Sequence, residues 1–364
     1  MRDISLQEAE DILYGACILG AGGGGSLEEG LQLVRSIYER GQSIRLVSVD
    51  EIEDDWLVVS PYYVGSVAPP SEEVVEKLKG LTEEPGNPSV FATKALQNHL
   101  GTNVNAICAT ELGGNTAWAM DVAAAMQLPL VDGDPAGRAV PDLAHTTFNV
   151  HGASITPFAL ASRYGDHVIV EAVVNHDRAD QIARSFAMIS GNFAGICDHP
   201  LDGKRFKEYI IPNTLSRAGS IGHARRIGVA HDPVASIVQE TDARLLAMGV
   251  IVESEWQDAN GFIEGIFVVK DNDTKDTWNI WFRNENMFVK NGDELISVIP
   301  TIISILNCKT GEPILNPQCR KGMEVAVVTF PSPEIWTTKE GLAIFGPAYI
   351  GMENEDYQGT QKKR

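Results

Sequence analysis

The sequence predicts two domains: an amino-terminal three-layer α/β domain with a largely parallel sheet, then a mostly β domain of barrel-like form. Three observations carry this. Strand-like and helix-like runs alternate from residue 43 to 135, the rhythm of βαβ units. From about residue 245 to 349 the chain turns to short apolar runs broken by polar clusters such as Asp271-Asn272-Asp273, the rhythm of a barrel or sandwich. The 364 residues also exceed the usual size of one domain. These textures give boundaries of 1–165 and 166–350, the latter with a helical lead-in, and a tail at 351–364 whose Lys362-Lys363-Arg364 end is expected to be solvated and disordered.

Ser5 and Glu8 have capping-box spacing, and Ala9, Ile12, Leu13, Ala16 and Cys17 follow at helical intervals, so a first helix is expected over residues 6–19. Residues 20–26 read GAGGGGS, and Ser26 with Glu29 repeats the capping box before Leu31, Val34 and Ile37. A glycine loop therefore joins two helices. No strand precedes it and no lysine follows, which excludes the dinucleotide fingerprint and the P-loop. Gly22, Gly23, Gly24 and Gly25 let backbone N–H groups approach a ligand, and the helix start at Ser26 favours an anion or an imide oxygen.

Strands are expected over residues 43–49 and 56–60, the second leading into a rigid turn at Gly65, Ser66, Pro69 and Pro70. Helices follow from Ser71 and over 92–100, then a strand at 103–109 that ends in Thr110, Glu111 and Asn115, and an alanine-rich helix over 116–126. The apolar run 128–131 empties into a turn holding Asp132, Asp134, Pro135, Gly137 and Arg138. Parallel strands put their carboxyl ends at one edge, so Glu111, Asn115, Asp132, Asp134 and Arg138 are expected to converge there beside Gly65. The alternative is that the aspartates cap turns and Arg138 neutralises them. His145 and His151 lie close enough in sequence to make a divalent metal site with the aspartates a further candidate.

Beyond residue 166 a strand is expected at 168–174, a helix at 179–188 and another around LSRAGSIGHA. Runs at 249–252, 261–269, 277–282, 287–289, 296–299, 301–306, 324–330 and 343–345 read as strands of the second domain.

A net charge of -20 argues against nucleic acid or an anionic membrane as partner. Five scattered cysteines, an acidic amino terminus without a signal core, and no run of about 18 apolar residues fit a reduced cytoplasmic protein without a membrane span. An oligomer is compatible with this composition.

The motifs LGAGGGGS, ELGGN, VDGDPAGRAVPDL, LSRAGSIGHA, FRNEN and IPTIISILNCKTGEPI, in this order through nearly the whole chain, resemble the family long known as domain of unknown function 917, described as S-methyl thiohydantoin desulfurase-like. Pro135, Ala136, Val140 and Asp142 depart from its usual residues. The resemblance implies an α/β domain and a β-barrel domain, and an association with hydantoin and oxoproline metabolism. The expected function is hydrolytic desulfurisation of an S-methyl thiohydantoin-like cyclic imide. Asp132 or Asp134 would act as general base, Glu111 as acid or metal ligand, and Arg138 as electrostatic clamp, with the glycine loop on the ring oxygens. The rival expectation is a noncatalytic accessory subunit of a hydantoinase or oxoprolinase.

Overall fold

The computed structural model describes residues 1–65, 69–259 and 262–361. Ser66, Gly261 and the Lys362 to Arg364 end of the expected tail lie outside them. The chain begins with β1 (Arg2–Ile4), α1 (Leu6–Leu19), α2 (Leu27–Glu39), β2 (Ile44–Val47), β3 (Leu57–Gly65), α3 (Glu72–Leu78), α4 (Pro88–Leu100), β4 (Ala106–Ile107), α5 (Thr116–Met126), β5 (Leu130–Val131) and β6 (Gly133–Asp134). Next come α6 (Thr147–Val150), β7 (Phe158–Ala161), β8 (His167–Val170), α7 (His176–Ile189), β9 (Phe193–Asp202), α8 (Gly203–Tyr209), β10 (Ile211–Pro212), α9 (Thr214–Gly228) and α10 (Pro233–Glu240). The last third holds β11 (Arg244–Ala259), β12 (Phe262–Asp271), β13 (Thr277–Arg283), β14 (Glu285–Asn291), β15 (Glu294–Val298), β16 (Ile302–Asn307), β17 (Glu324–Phe330), α11 (Lys339–Phe345) and α12 (Asn354–Gln361).

The first sheet runs β1-β2-β5-β4-β3-β9-β7-β8. Its centre, β2-β5-β4-β3, is parallel. Antiparallel strands flank it on both sides. Alternation along the central strands covers both faces. Leu46, Val59, Ile107 and Leu130 pack under α1, α2 and α5, while Val47, Val58, Ala106 and Val131 pack with Phe148, Phe206 and Ile210. The sheet is thus an α/β sandwich whose largest antiparallel member, β9, comes from beyond residue 190.

The second sheet is antiparallel throughout, β15-β14-β13-β12-β11-β17-β16, and curls into a half-barrel around Ile251, Phe267, Ile280, Val289 and Val327. Among the described residues its edges β15 and β16 do not pair, so the barrel is open. One expectation is corrected at its end. Residues 343–345 are the last turn of α11, not a strand, because Thr338 caps Gly341 N–H and the preceding residues supply a full helical turn. Residues 354–361 of the expected tail are helix α12, anchored by the buried Tyr357 beside Trp336 and Phe345.

The caps at both glycine-loop helices form as the spacing requires. Ser5 accepts from Glu8 N–H and Ser26 from Glu29 N–H. The LSRAGSIGHA stretch is helix α9, which crosses α1 at glycine-to-backbone contact: a β-carbon on Gly15 would stand 1.8 Å from the Ala218 carbonyl oxygen, and one on Gly222 1.8 Å from that of Asp11. Ser304 of β16 donates to the Ile18 carbonyl, tying the half-barrel to the end of α1.

Candidate active site

A cavity of about 700 Å³ opens where the carboxyl ends of the parallel strands meet the half-barrel. The glycine loop, Glu111, Asn115 and Gly65 line it, as do Tyr62, Asp198 and His199 from β3 and β9, Asp180 and Arg184 from α7, and Glu285 from β14.

The glycines of the loop are required by what approaches them. Gly24 and Gly25 have φ of 77° and 94°, and a β-carbon on Gly25 would lie 2.8 Å from the Tyr63 hydroxyl. One on Gly22 would lie 2.5 Å from the Asn316 amide, and one on Gly23 2.0 Å from Glu285 Oε1. Two loop carbonyls hold the domains together, Ala21 accepting from Asn286 N–H at 2.7 Å and Gly22 from Asn316 N–H at 3.0 Å, while that of Gly24 accepts from Asn115 N–H at 2.8 Å within the first domain. Gly23 N–H closes a turn on Gly20, whereas no carbonyl among the described residues accepts from Gly24 or Gly25 N–H.

Glu111 follows β4 and is fixed by two donors, Val140 N–H to Oε2 at 3.0 Å and Asn115 Nδ2 to Oε1 at 3.2 Å. Burial nevertheless pushes its carboxyl up to about 7. Glu285 is more extreme, held well above the usual carboxyl range by burial and by the neighbouring Glu111, against the attraction of Arg138.

The other residues expected at this edge lie beneath it. Asp132 accepts from both the N–H and the hydroxyl of Ser216, with the N–H at 2.9 Å, and so caps α9 from outside; Asn213, at its start, has φ of 63° and offers no side-chain cap. Asp134 takes Ala136 and Gly137 N–H at 2.8 and 2.6 Å, and burial pushes it up to about 6. Arg138 is wholly buried; it donates to the carbonyls of Ala139, Pro300 and Thr301 and lies 5.0 Å from the Phe345 ring. The expected convergence of Asp132, Asp134 and Arg138 on the cavity wall is therefore corrected: none of the three lines the cavity, and the hydrogen bonds they make go to Ser216 and to backbone groups away from it.

The metal set is corrected as well. His145 is buried with Nδ1 2.9 Å from Asp142 Oδ1 and packs edge-on against Tyr349, whereas His151 is exposed and stacked on Tyr209. Among the described residues no three His, Cys, Asp or Glu side chains gather as a metal-binding group.

Sequence reasoning missed the cluster with the most unusual geometry. Tyr62 donates its hydroxyl to Asp198 Oδ2 at 2.6 Å, and Asp198 Oδ1 lies 2.9 Å from His199 Nδ1. The pairing of β3 with β9 slips by one residue here, Val58 facing Leu201 but Ser60 facing Asp198. His199 sits in this bulge with φ of 43°, a conformation that is uncommon for histidine and that re-aims its ring. Its Nε2 is buried without a partner among the described residues. His176 stacks beside it with ring centroids 5.7 Å apart and is pushed down to about 4 by burial and by His199. The only sequence signal was the Asp198-His199 dipeptide.

Fold and cavity together define a two-domain protein of mixed α/β class with an acid-lined cavity between its sheet and its half-barrel. A crystal structure of a protein from Chromobacterium violaceum shares this fold, with a TM-score of 0.78 and 22% sequence identity over 97% of this chain and 98% of that one. Residues 7–172 match the family model described as S-Me-THD-like, N-terminal domain, and residues 174–360 that described as S-Me-THD-like, C-terminal domain. The chain belongs to the S-Me-THD-like family, as its motifs suggested. Comparison with curated proteins gives no match. No helix among the described residues is long and apolar enough to cross a membrane.

Proposed function

We propose that the protein hydrolyses a small uncharged cyclic imide derivative, an S-alkyl thiohydantoin, releasing a thiol. The observation that carries this reading is the Asp198-His199 pair: His199 lines the cavity, a carboxylate fixes one of its imidazole nitrogens, and the other has no partner among the described residues. That is the arrangement of a general base acting on water. Family membership supports the hydantoin-like substrate class. Seven carboxyl groups line the cavity against one arginine, Arg184, among the described residues, which disfavours an anionic ligand and suits a neutral ring.

In this reading His199 Nε2 takes a proton from water, whose oxygen attacks the ring carbon bearing sulfur. The C–S bond breaks and the thiolate leaves, taking up the proton from His199. Gly24 and Gly25 N–H groups bind a ring oxygen, and Glu111 with Asn115 orients the ring N–H. Asp132, Asp134 and Arg138 support the site from below. The five free cysteines accord with a cytoplasmic, reducing location.

Thiol release from a panel of S-methyl thiohydantoins, read with a thiol reagent, tests the proposal. Wild type should release methanethiol and His199→Asn, which tolerates the left-handed backbone, should not. Folded wild-type protein that releases none across the panel sinks the hydrolase reading and favours an accessory subunit of a hydantoinase or oxoprolinase.

A further inference from the structure

The FRNEN motif, Phe282 to Asn286, plays no part in the scheme above, yet it reaches the cavity from the half-barrel. Its residues hold one carboxyl in place. Arg283 stacks over the rings of Phe262 and Tyr349 at 4.7 and 5.4 Å. Asn284, with φ of 56°, accepts from Ile263 N–H through Oδ1 at 2.9 Å and from Asn316 Nδ2 through its carbonyl at 2.7 Å. Asn286 donates its N–H to Ala21 and its Nδ2 to the Ile303 carbonyl at 2.9 Å. Between these anchors Glu285, 2% exposed, lies against Gly23.

Glu285 and Glu111 share the cavity but differ in their partners. Both Glu111 oxygens accept hydrogen bonds, whereas Glu285 Oε2 has no partner among the described residues. No cation forms an ion pair with Glu285 among the described residues, and Arg138 acts on it only at longer range. Burial and the neighbouring Glu111 favour the neutral form of a carboxyl so placed, and a neutral carboxyl carries an O–H donor.

We propose that Glu285 is a further catalytic residue: its carboxylic acid protonates the ring nitrogen adjacent to the sulfur-bearing carbon of the substrate. This rests on the hydrolytic reading above. The Glu285 proton passes to the ring nitrogen as the water oxygen bonds to carbon and gives one proton to His199. The C–S bond then breaks with its electron pair on sulfur, and the thiolate takes the proton from His199. The remaining hydroxyl proton returns to Glu285 as the new C=O forms. One water is consumed; one thiol and one imide result.

The test compares Glu285→Gln and Gly23→Ala with wild type on two substrates: a neutral S-methyl thiohydantoin, and an analogue whose ring nitrogen carries a permanent positive charge by alkylation. Gly23 does not have a left-handed φ, so alanine there displaces the Glu285 carboxyl rather than straining the backbone. Both variants should lose about a hundredfold or more in kcat on the neutral ring, the size of a lost general acid, and recover on the charged one. Equal losses on both substrates, or an unchanged kcat on the neutral ring, overturn the proposal. Infrared difference spectroscopy adds a readout independent of turnover. Above the pH near 7 at which Glu111 titrates, the carbonyl stretch of a protonated carboxylic acid should remain in wild type and be absent in Glu285→Gln. A missing band overturns the proposal while leaving the hydrolase reading intact; a band without thiol release from either substrate overturns both.

Discussion

Tyr62 of β3 donates its hydroxyl across the sheet to Asp198 of β9 at 2.6 Å, which leaves the other carboxylate oxygen to His199. The phenol is buried, and burial together with Asp198 raises its pKa well above the usual range, so it remains a donor at any working pH. Tyr62→Phe strands one buried carboxylate oxygen. It should cost about 1–3 kcal/mol in urea unfolding, and it should lower kcat more than it changes KM, since the hydroxyl positions the base and does not meet substrate. A variant with wild-type kcat would remove the Asp198-His199 pair from the mechanism.

Asp132 belongs to stability. Asp132→Ala removes the acceptor of Ser216 N–H at the start of α9 and should cost about 1–2 kcal/mol, the range of a lost helix cap. Asp132→Asn should cost less, because one amide oxygen still accepts from the N–H while the amide nitrogen donates to the Ser216 hydroxyl. Urea midpoints should fall in that order with kcat nearly unchanged. A catalytic collapse without loss of stability would return Asp132 to the active site.

The contrast between Asp132 and His199 marks what the sequence could convey. Caps three residues apart, as at Ser5 and Ser26, and apolar runs such as Leu130–Val131 are local signals, and they formed. A strand followed by an acidic turn reads the same whether its carboxylates face a ligand or cap a helix 84 residues on, so Asp132 was misplaced. Arg138 reads as a clamp at the same edge or as a counter-charge to the aspartates, and nothing local foretells the Pro300 and Thr301 carbonyls that accept from it. Strand β9 was hidden because its glycine, aspartate and proline interrupt any alternation, and Glu285 because its reason for being there, the missing side chain of Gly23, lies in the other domain.

Glu111 sets a pH dependence. Its carboxyl has an ordinary value of 4.5 and is pushed up to about 7 by burial, so the folded state binds the extra proton between those values. Stability should therefore be highest below about 4.5 as far as this group is concerned, fall as pH rises, and be fully reduced above about 7. The interval is worth ~3 kcal/mol. Glu111→Gln should flatten that fall in unfolding free energy measured across the window. An unaltered slope would mean that the group titrates normally.

The crossing of α1 and α9 links helix packing to the cavity, because α1 ends at the glycine loop. Three glycines there differ in what a methyl group would meet. At Gly15 and Gly222 it would stand 1.8 Å from a carbonyl oxygen of the opposite helix, backbone that yields only if the helices part. At Gly219 it would lie 3.2 Å from Ile12 Cγ1, a side chain able to adjust. Gly15→Ala and Gly222→Ala should each destabilise by about 1–3 kcal/mol or more. They should also lower turnover by shifting Gly24 and Gly25, although neither residue touches the cavity. Gly219→Ala should be neutral or stabilising, since alanine exceeds glycine in helix propensity by about 1 kcal/mol. Thermal unfolding and kcat of the three variants decide the matter: equal behaviour at all three positions would show that the close approach places no constraint on the glycine loop.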